Sequence, residues 1–78
     1  MGVVLYHRIG DPDSGAVRRR IVELGLKPRV DFQNVDTDGA EDFAGHGGQR
    51  VPALWDGVLL HEGRAAALAV IDRLADET

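Results

Sequence analysis

The stretch "VVLYHRIGDPDSGAVRRRIVELG", Val3 to Gly25, decides the fold of this chain. It opens on a continuous apolar run, which is typical of a strand covered on both faces. Pro12 suits the first position of a helix, where its missing N–H is no loss. Apolar side chains then recur at helical spacing, at Val17, Ile21 and Leu24. Because Gly25 can end the helix, the stretch predicts a strand, a tight turn and a helix.

The next segment continues the alternation of strand and helix. Residues Val30 to Val35 predict a second strand. Asp38, with Glu41 three residues later, matches a capping box and predicts a helix start. The glycine-rich segment Gly45 to Gly48 ends that helix, which is therefore short.

The C-terminal third predicts a hairpin and a last helix. Two apolar runs, Val51–Trp55 and Val58–Leu60, flank Asp56-Gly57, which is a preferred pair for a two-residue type I′ turn. An alanine-rich segment from about Glu62 to Ala75 has strong helix propensity.

The predicted element order is therefore β-α-β-α-β-β-α. The first three elements form a parallel, right-handed crossover unit, and the hairpin adds two strands to the same sheet. We expect one α/β domain over residues 1–78, with a four-stranded mixed sheet and helices on both faces.

Composition excludes several classes of function. With no cysteine, the chain can form no disulfide and perform no thiol redox chemistry, and it lacks the usual zinc spacings. The net charge of −4 disfavours non-specific binding to nucleic acid. The three histidines are scattered, so no metal site is expected. Because no long apolar segment and no secretory signal are visible, we expect a cytoplasmic protein that does not bind membranes.

The loop "GDPDSG", Gly10 to Gly15, carries the most informative polar residues. Asp11 precedes Pro12, so its carboxylate is expected at the helix N-terminus, where free N–H groups stabilise an anion. The three arginines at positions 18–20 indicate a solvated helix face, with a patch for an acidic partner as the alternative.

The segments "VVLYHRIGDPDS" and "GQRVP", together with the element order, resemble glutaredoxins, the minimal form of the thioredoxin-like fold. In that resemblance Asp11 stands at the reactive cysteine and Ser14 at the resolving one. Arg8 stands at a lysine that helps to hold the glycine carboxylate of glutathione. Pro52 corresponds to the family's cis-proline, and Val51 would offer its backbone N–H and C=O to a bound tripeptide.

The segment "VPALWDGVLLHEGRAAAL" is more similar to the N-terminal domain of glutathione S-transferases. Glu62 matches that family's acid, whereas Gly63 replaces the serine that binds the γ-glutamyl carboxylate. No all-helical second domain follows, so the resemblance does not imply a complete transferase.

Our first hypothesis is a binding module without turnover. It would hold a small anionic ligand, glutathione or another carboxylate, or an extended peptide. The candidate ligand-binding residues are Arg8, Asp11, Ser14, Arg50, Val51, Pro52 and Glu62. One alternative is a stand-alone transferase-like enzyme in which Ser14 activates glutathione, and the other is a purely structural or interaction domain. No cofactor other than glutathione is implied.

Overall fold

The predicted alternation of strands and helices is present in the computed structural model, which describes residues 2–77. The elements are β1 (Val3–His7), α1 (Pro12–Glu23), a 3₁₀ turn (Lys27–Arg29), β2 (Val30–Asn34), α2 (Ala40–Gly45), β3 (Ala53–Trp55), β4 (Leu60–Glu62) and α3 (Arg64–Asp76). The protein is therefore a mixed α/β protein with the predicted order of elements.

Within the described residues the sheet has four strands in the order β2-β1-β3-β4. Strand β1 runs parallel to β2, with Val3 opposite Val30. Strand β3 is antiparallel to both of its neighbours, and Tyr6 of β1 pairs with Ala53. The predicted parallel pairing of β1 with β2 and the predicted addition of the hairpin to the same sheet are both confirmed.

Helices cover both faces of the sheet. Successive residues of a strand point to opposite faces, so Leu5 and Tyr6 belong to different layers. Leu5 packs in a fully buried cluster with residues of α1, β3 and α3, namely Val17, Ile21, Leu54, Ala67 and Ile71. Tyr6 lies on the other face, where its ring centroid is 5.5 Å from that of Phe43 in α2.

Helix α1 begins and ends where the sequence predicts. The Asp11 carboxylate accepts a hydrogen bond of 2.8 Å from the Ser14 N–H, and Pro12 is the first helical residue. At the other end Gly25 adopts a φ of +69°, a conformation that glycine tolerates without steric cost. Its N–H bonds to the Val22 carbonyl at 3.0 Å, which satisfies one of the last carbonyls of the helix.

The predicted two-residue turn of the hairpin is wrong. Trp55 pairs with Leu60, so the connection runs from Asp56 to Leu59. The Asp56 Oδ1 atom accepts the N–H groups of both Val58 and Leu59 at 2.8 Å, taking the place of a backbone carbonyl in the turn. The side chains of Val58 and Leu59 are therefore exposed at the tip, and the Leu59 carbonyl accepts the Asp56 N–H at 3.2 Å. The bounds of both strands also differ from the predicted ones. Strand β3 begins at Ala53 instead of Val51, and β4 runs over Leu60–Glu62 instead of Val58–Leu60.

The predicted starts of α2 and α3 are also wrong. Gly39, not Asp38, is the N-cap of α2, and no side chain caps that helix. The Gly39 N–H bonds to the Asn34 carbonyl at 2.8 Å, which folds the turn back onto the end of β2. A Cβ at Gly39 would lie 2.9 Å from the Cβ of Gln33, so the turn requires glycine there. Helix α3 begins at Arg64 because Glu62 still belongs to β4.

None of the helices formed by residues 2–77 combines the length and the apolar character needed to cross a lipid bilayer.

Candidate functional site

The turn between β1 and α1 is held together by three of the predicted site residues. The Asp11 N–H donates to the Arg8 carbonyl at 3.2 Å. The Arg8 N–H donates to Ser14 Oγ at 3.2 Å, and the Ser14 N–H donates to the Asp11 carboxylate. Arg8, Asp11 and Ser14 therefore form one hydrogen-bonded turn at the N-terminus of α1.

Asp11 is an anion at the helix N-terminus, as the sequence predicts. Hydrogen bonds from the Ser14 hydroxyl and from the Ser14 N–H hold the pKa of Asp11 below its usual value. The Ser14 side chain is fully buried, and its hydroxyl accepts the Arg8 N–H at 3.2 Å. The structure therefore engages this hydroxyl within the turn.

The Arg8 side chain points to a carboxylate of the β2–α2 connection. Its Nε lies 3.1 Å from an Asp36 carboxylate oxygen, and about half of each side chain is exposed. Exposed ion pairs of this kind contribute little stability, so a ligand carboxylate can compete with Asp36 for the guanidinium.

A buried histidine and an arginine lie behind this turn. His7 is 6% exposed, and its Nδ1 lies 2.9 Å from Nη1 of Arg18. Because arginine is always a donor, Nδ1 must accept, and the neutral imidazole carries its proton on Nε2. Burial, followed by the Arg18 charge, lowers the pKa of His7. The sequence did not predict this pair, because its two members are eleven positions apart and no local pattern relates them.

The arginine triplet is divided between internal contacts and solvent. Arg18 also reaches the Arg8 carbonyl at 3.4 Å. Arg20 lies 3.3 Å from Asp72 of α3 and 3.7 Å from Glu23. Arg19 is exposed and has no side-chain partner within residues 2–77. Arg18 and Arg20 therefore contact other parts of the fold, and Arg19 is the member of the triplet that remains available to an acidic partner.

The remaining predicted residues lie in the segment that leads into β3. The Val51–Pro52 peptide bond is cis, as predicted, and Pro52 is buried. One oxygen of Glu62, Oε1, accepts the Gln49 N–H at 2.7 Å and the Arg50 N–H at 2.8 Å. These two hydrogen bonds, that from Gln49 first, lower the pKa of Glu62. Glu62 therefore anchors the loop in its ionised form.

Aromatic packing anchors the same loop at a second place. The His46 ring stacks on the Trp55 ring, with centroids 3.8 Å apart and planes 16° apart. Gly48 lies so close to Phe43 that a Cβ there would overlap the aromatic ring. We use the name "β3 loop" for residues 46–51, which the Glu62 and aromatic contacts hold in place. Trp55 is half-buried on the sheet, and no local feature of the sequence indicates its contact with His46.

Val51 is the residue of the β3 loop whose backbone remains open to a ligand. No hydrogen bond from residues 2–77 reaches its N–H or its C=O. The side chain of the adjacent Arg50 is exposed and forms no hydrogen bond or ion pair in the described chain, although its charge helps to lower the pKa of Glu62. Because Tyr6 pairs with Ala53, the residues after β1 and those before β3 lie at the same edge of the sheet. The structure thus places both groups of predicted site residues at one edge.

No cluster of three or more His, Asp or Glu side chains within residues 2–77 is arranged to hold a metal ion. The fold and the site together define a small, cysteine-free, mixed α/β protein with an open backbone segment beside a capped helix N-terminus. No family model matches the sequence, and no match is found among curated proteins or solved structures.

Proposed function

We propose that this chain is a thioredoxin-like, glutaredoxin-related binding module that holds an extended peptide or a carboxylate-bearing small molecule, glutathione being one candidate, without dithiol redox chemistry. The observation that carries the proposal is the open N–H and C=O of Val51, next to an unpaired arginine. The element order and the cis-proline before β3 support the fold assignment.

The β3 loop suits recognition of an extended chain. A segment that pairs with Val51 would form hydrogen bonds through its own backbone, as in strand-type peptide recognition. Because Glu62 and the His46–Trp55 stack already hold the loop, little conformational entropy is lost when the ligand binds. Arg50 and Arg8 supply positive charge for a ligand carboxylate.

The proposal gives Asp11 and Glu62 positioning roles. Asp11 caps α1, and its negative charge opposes an incoming thiolate at the helix N-terminus. The Ser14 hydroxyl is buried and accepts the Arg8 N–H, which weighs against the alternative of an enzyme that activates glutathione through Ser14. A ligand at this site is therefore bound but not activated.

The test is a titration of the ¹⁵N-labelled protein with reduced glutathione and with a blocked alanine tetrapeptide, followed by amide chemical shifts. We expect saturable shifts at Val51 and Arg50 at roughly millimolar ligand. Arg50→Gln should weaken glutathione binding by about two- to fivefold, as expected for an exposed charge pair. Arg19→Gln removes an equally unpaired arginine from α1 and should leave the affinity unchanged.

An absence of shifts at Val51 with both ligands would contradict the proposal and favour the purely structural domain. Shifts that Arg19→Gln and Arg50→Gln reduce equally would show non-specific attraction of an anion. Either result is independent of the fold, which the dispersion of the unliganded spectrum reports separately.

A further inference from the structure

A cavity of about 340 Å³ lies at the end of the sheet opposite the β3 loop. Val3, the first residue of β1, lines it, whereas the turn at Arg8 follows the last residue of the same strand. At about 3.3 Å per residue, these two ends of β1 are roughly 16 Å apart. The cavity is therefore separate from the site proposed above.

The cavity is lined by three apolar side chains, which lie beside charged side chains from several elements. Val70 and Leu74 of α3 are buried, and Val3 is half-buried. Arg29 of the 3₁₀ turn and Arg73 of α3 are exposed and line the cavity from two different elements. Its volume falls within the usual range for small-molecule sites.

Both arginines are available to a ligand. Neither Arg29 nor Arg73 has a side-chain hydrogen bond or ion pair with any residue of the described chain. Two carboxylates also line the cavity, but Asp56 is fully engaged, because it accepts two backbone N–H groups and lies 2.8 Å from Nε2 of His61. Glu77 is the remaining acid of the lining, and it forms no ion pair with either arginine.

We propose that this cavity binds an organic carboxylate with a compact apolar body. The planar guanidinium groups of Arg29 and Arg73 match the geometry of a carboxylate. The side chains of Val3, Val70 and Leu74 bury the apolar part of the ligand. An organic cation is disfavoured, because Arg29 and Arg73 would repel it and the Asp56 carboxylate already accepts hydrogen bonds within its own turn. A bare phosphate would leave the apolar side chains of Val3, Val70 and Leu74 unused.

The experiment uses benzoate, benzyl alcohol and benzylammonium as probes of the same shape and different charge. Binding is followed by the methyl resonances of Val3, Val70 and Leu74 in the ¹³C-labelled protein. We expect saturable shifts with benzoate only. Arg29→Gln and Arg73→Gln should each weaken benzoate binding by about two- to fivefold, since each removes an exposed charge pair with the ligand carboxylate.

Two further variants distinguish this site from general attraction of anions. Glu77→Gln removes a carboxylate that repels the ligand and should tighten benzoate binding. Arg19→Gln removes an arginine elsewhere and should have no effect. Equal binding of the alcohol and benzoate, unchanged affinity in both cavity arginine variants, or an absence of methyl shifts would each refute the proposal. Shifts confined to the methyl resonances of Val51 would place benzoate at the β3 loop and would likewise refute it.

Discussion

The close packing of the β3 loop against α2 predicts a strong effect of adding a single methyl group at Gly48. A Cβ built at this position would lie no more than 2.6 Å from three atoms of the Phe43 ring. The φ angle of Gly48 is not positive, so the backbone itself would accept alanine. The cost of Gly48→Ala therefore comes from the overlap with Phe43.

Two responses can relieve this overlap, and both lose packing. The Phe43 ring can move away from Tyr6, whose centroid lies 5.5 Å from it, or the loop can lift and separate His46 from Trp55. Overpacking of this kind typically costs about 1–3 kcal/mol. A domain of this size has a free energy of unfolding of roughly 5 kcal/mol, so the loss should be large.

The matched control is Gly45→Ala, which adds the same methyl group three residues earlier. Gly45 is the last residue of α2, has no heavy atom within 4 Å of the added Cβ, and has no positive φ. Alanine there should be neutral or stabilising by up to about 1 kcal/mol. Urea unfolding followed by circular dichroism and by the fluorescence of Trp55 measures both variants. If Gly48→Ala is as stable as Gly45→Ala, the described packing of Phe43 on the loop is wrong.

Three further predictions test the core, the buried histidine and the helix N-terminus. Leu54→Ala should lower the free energy of unfolding by about 2–5 kcal/mol, because Leu54 is fully buried, whereas Leu59→Ala at the 60% exposed hairpin tip should have little effect in the same urea assay. The pKa of His7 is lowered from its usual 6.5, so on acidification the unfolded chain binds this proton before the folded chain does. The free energy of unfolding should therefore keep its full value above about pH 6.5 and decrease as the pH falls through that value. The variant His7→Gln keeps an acceptor for Arg18 but does not titrate, so it should show a smaller loss between pH 7 and pH 5; an equal loss would exclude His7 as the cause. In Asp11→Cys the thiol should be alkylated with a pH midpoint below the ordinary value of about 8.5, and a midpoint at or above it would place residue 11 away from the N-terminus of α1.

The order of elements and both ends of α1 follow from the sequence alone. Pro12 and Gly25 act through their own backbone preferences, and Asp11 bonds to an N–H three residues away. The periodicity of Val17 and Ile21 indicates the buried face of the helix without knowledge of what covers it. These features depend only on residues close together in the chain, so the sequence is sufficient to predict them.

Only the tertiary structure decided the hairpin connection, the start of α2 and most contacts of the site. Asp56-Gly57 is a good two-residue turn in isolation, but in the sheet Trp55 pairs with Leu60, and this register leaves Asp56 to Leu59 in the connection. Asp38 loses the capping position because Gly39 packs onto the end of β2.

The candidate site shows the same division between local and distant interactions. Glu62 reaches the N–H groups of Gln49 and Arg50, which precede it by thirteen and twelve residues, and Arg18 reaches His7 across the β1–α1 turn. The sequence could propose these residues one by one, through their chemistry or through a resemblance. Their partners are set by the pairing of strands and the packing of helices, because residues distant along the chain become neighbours only when the sheet forms.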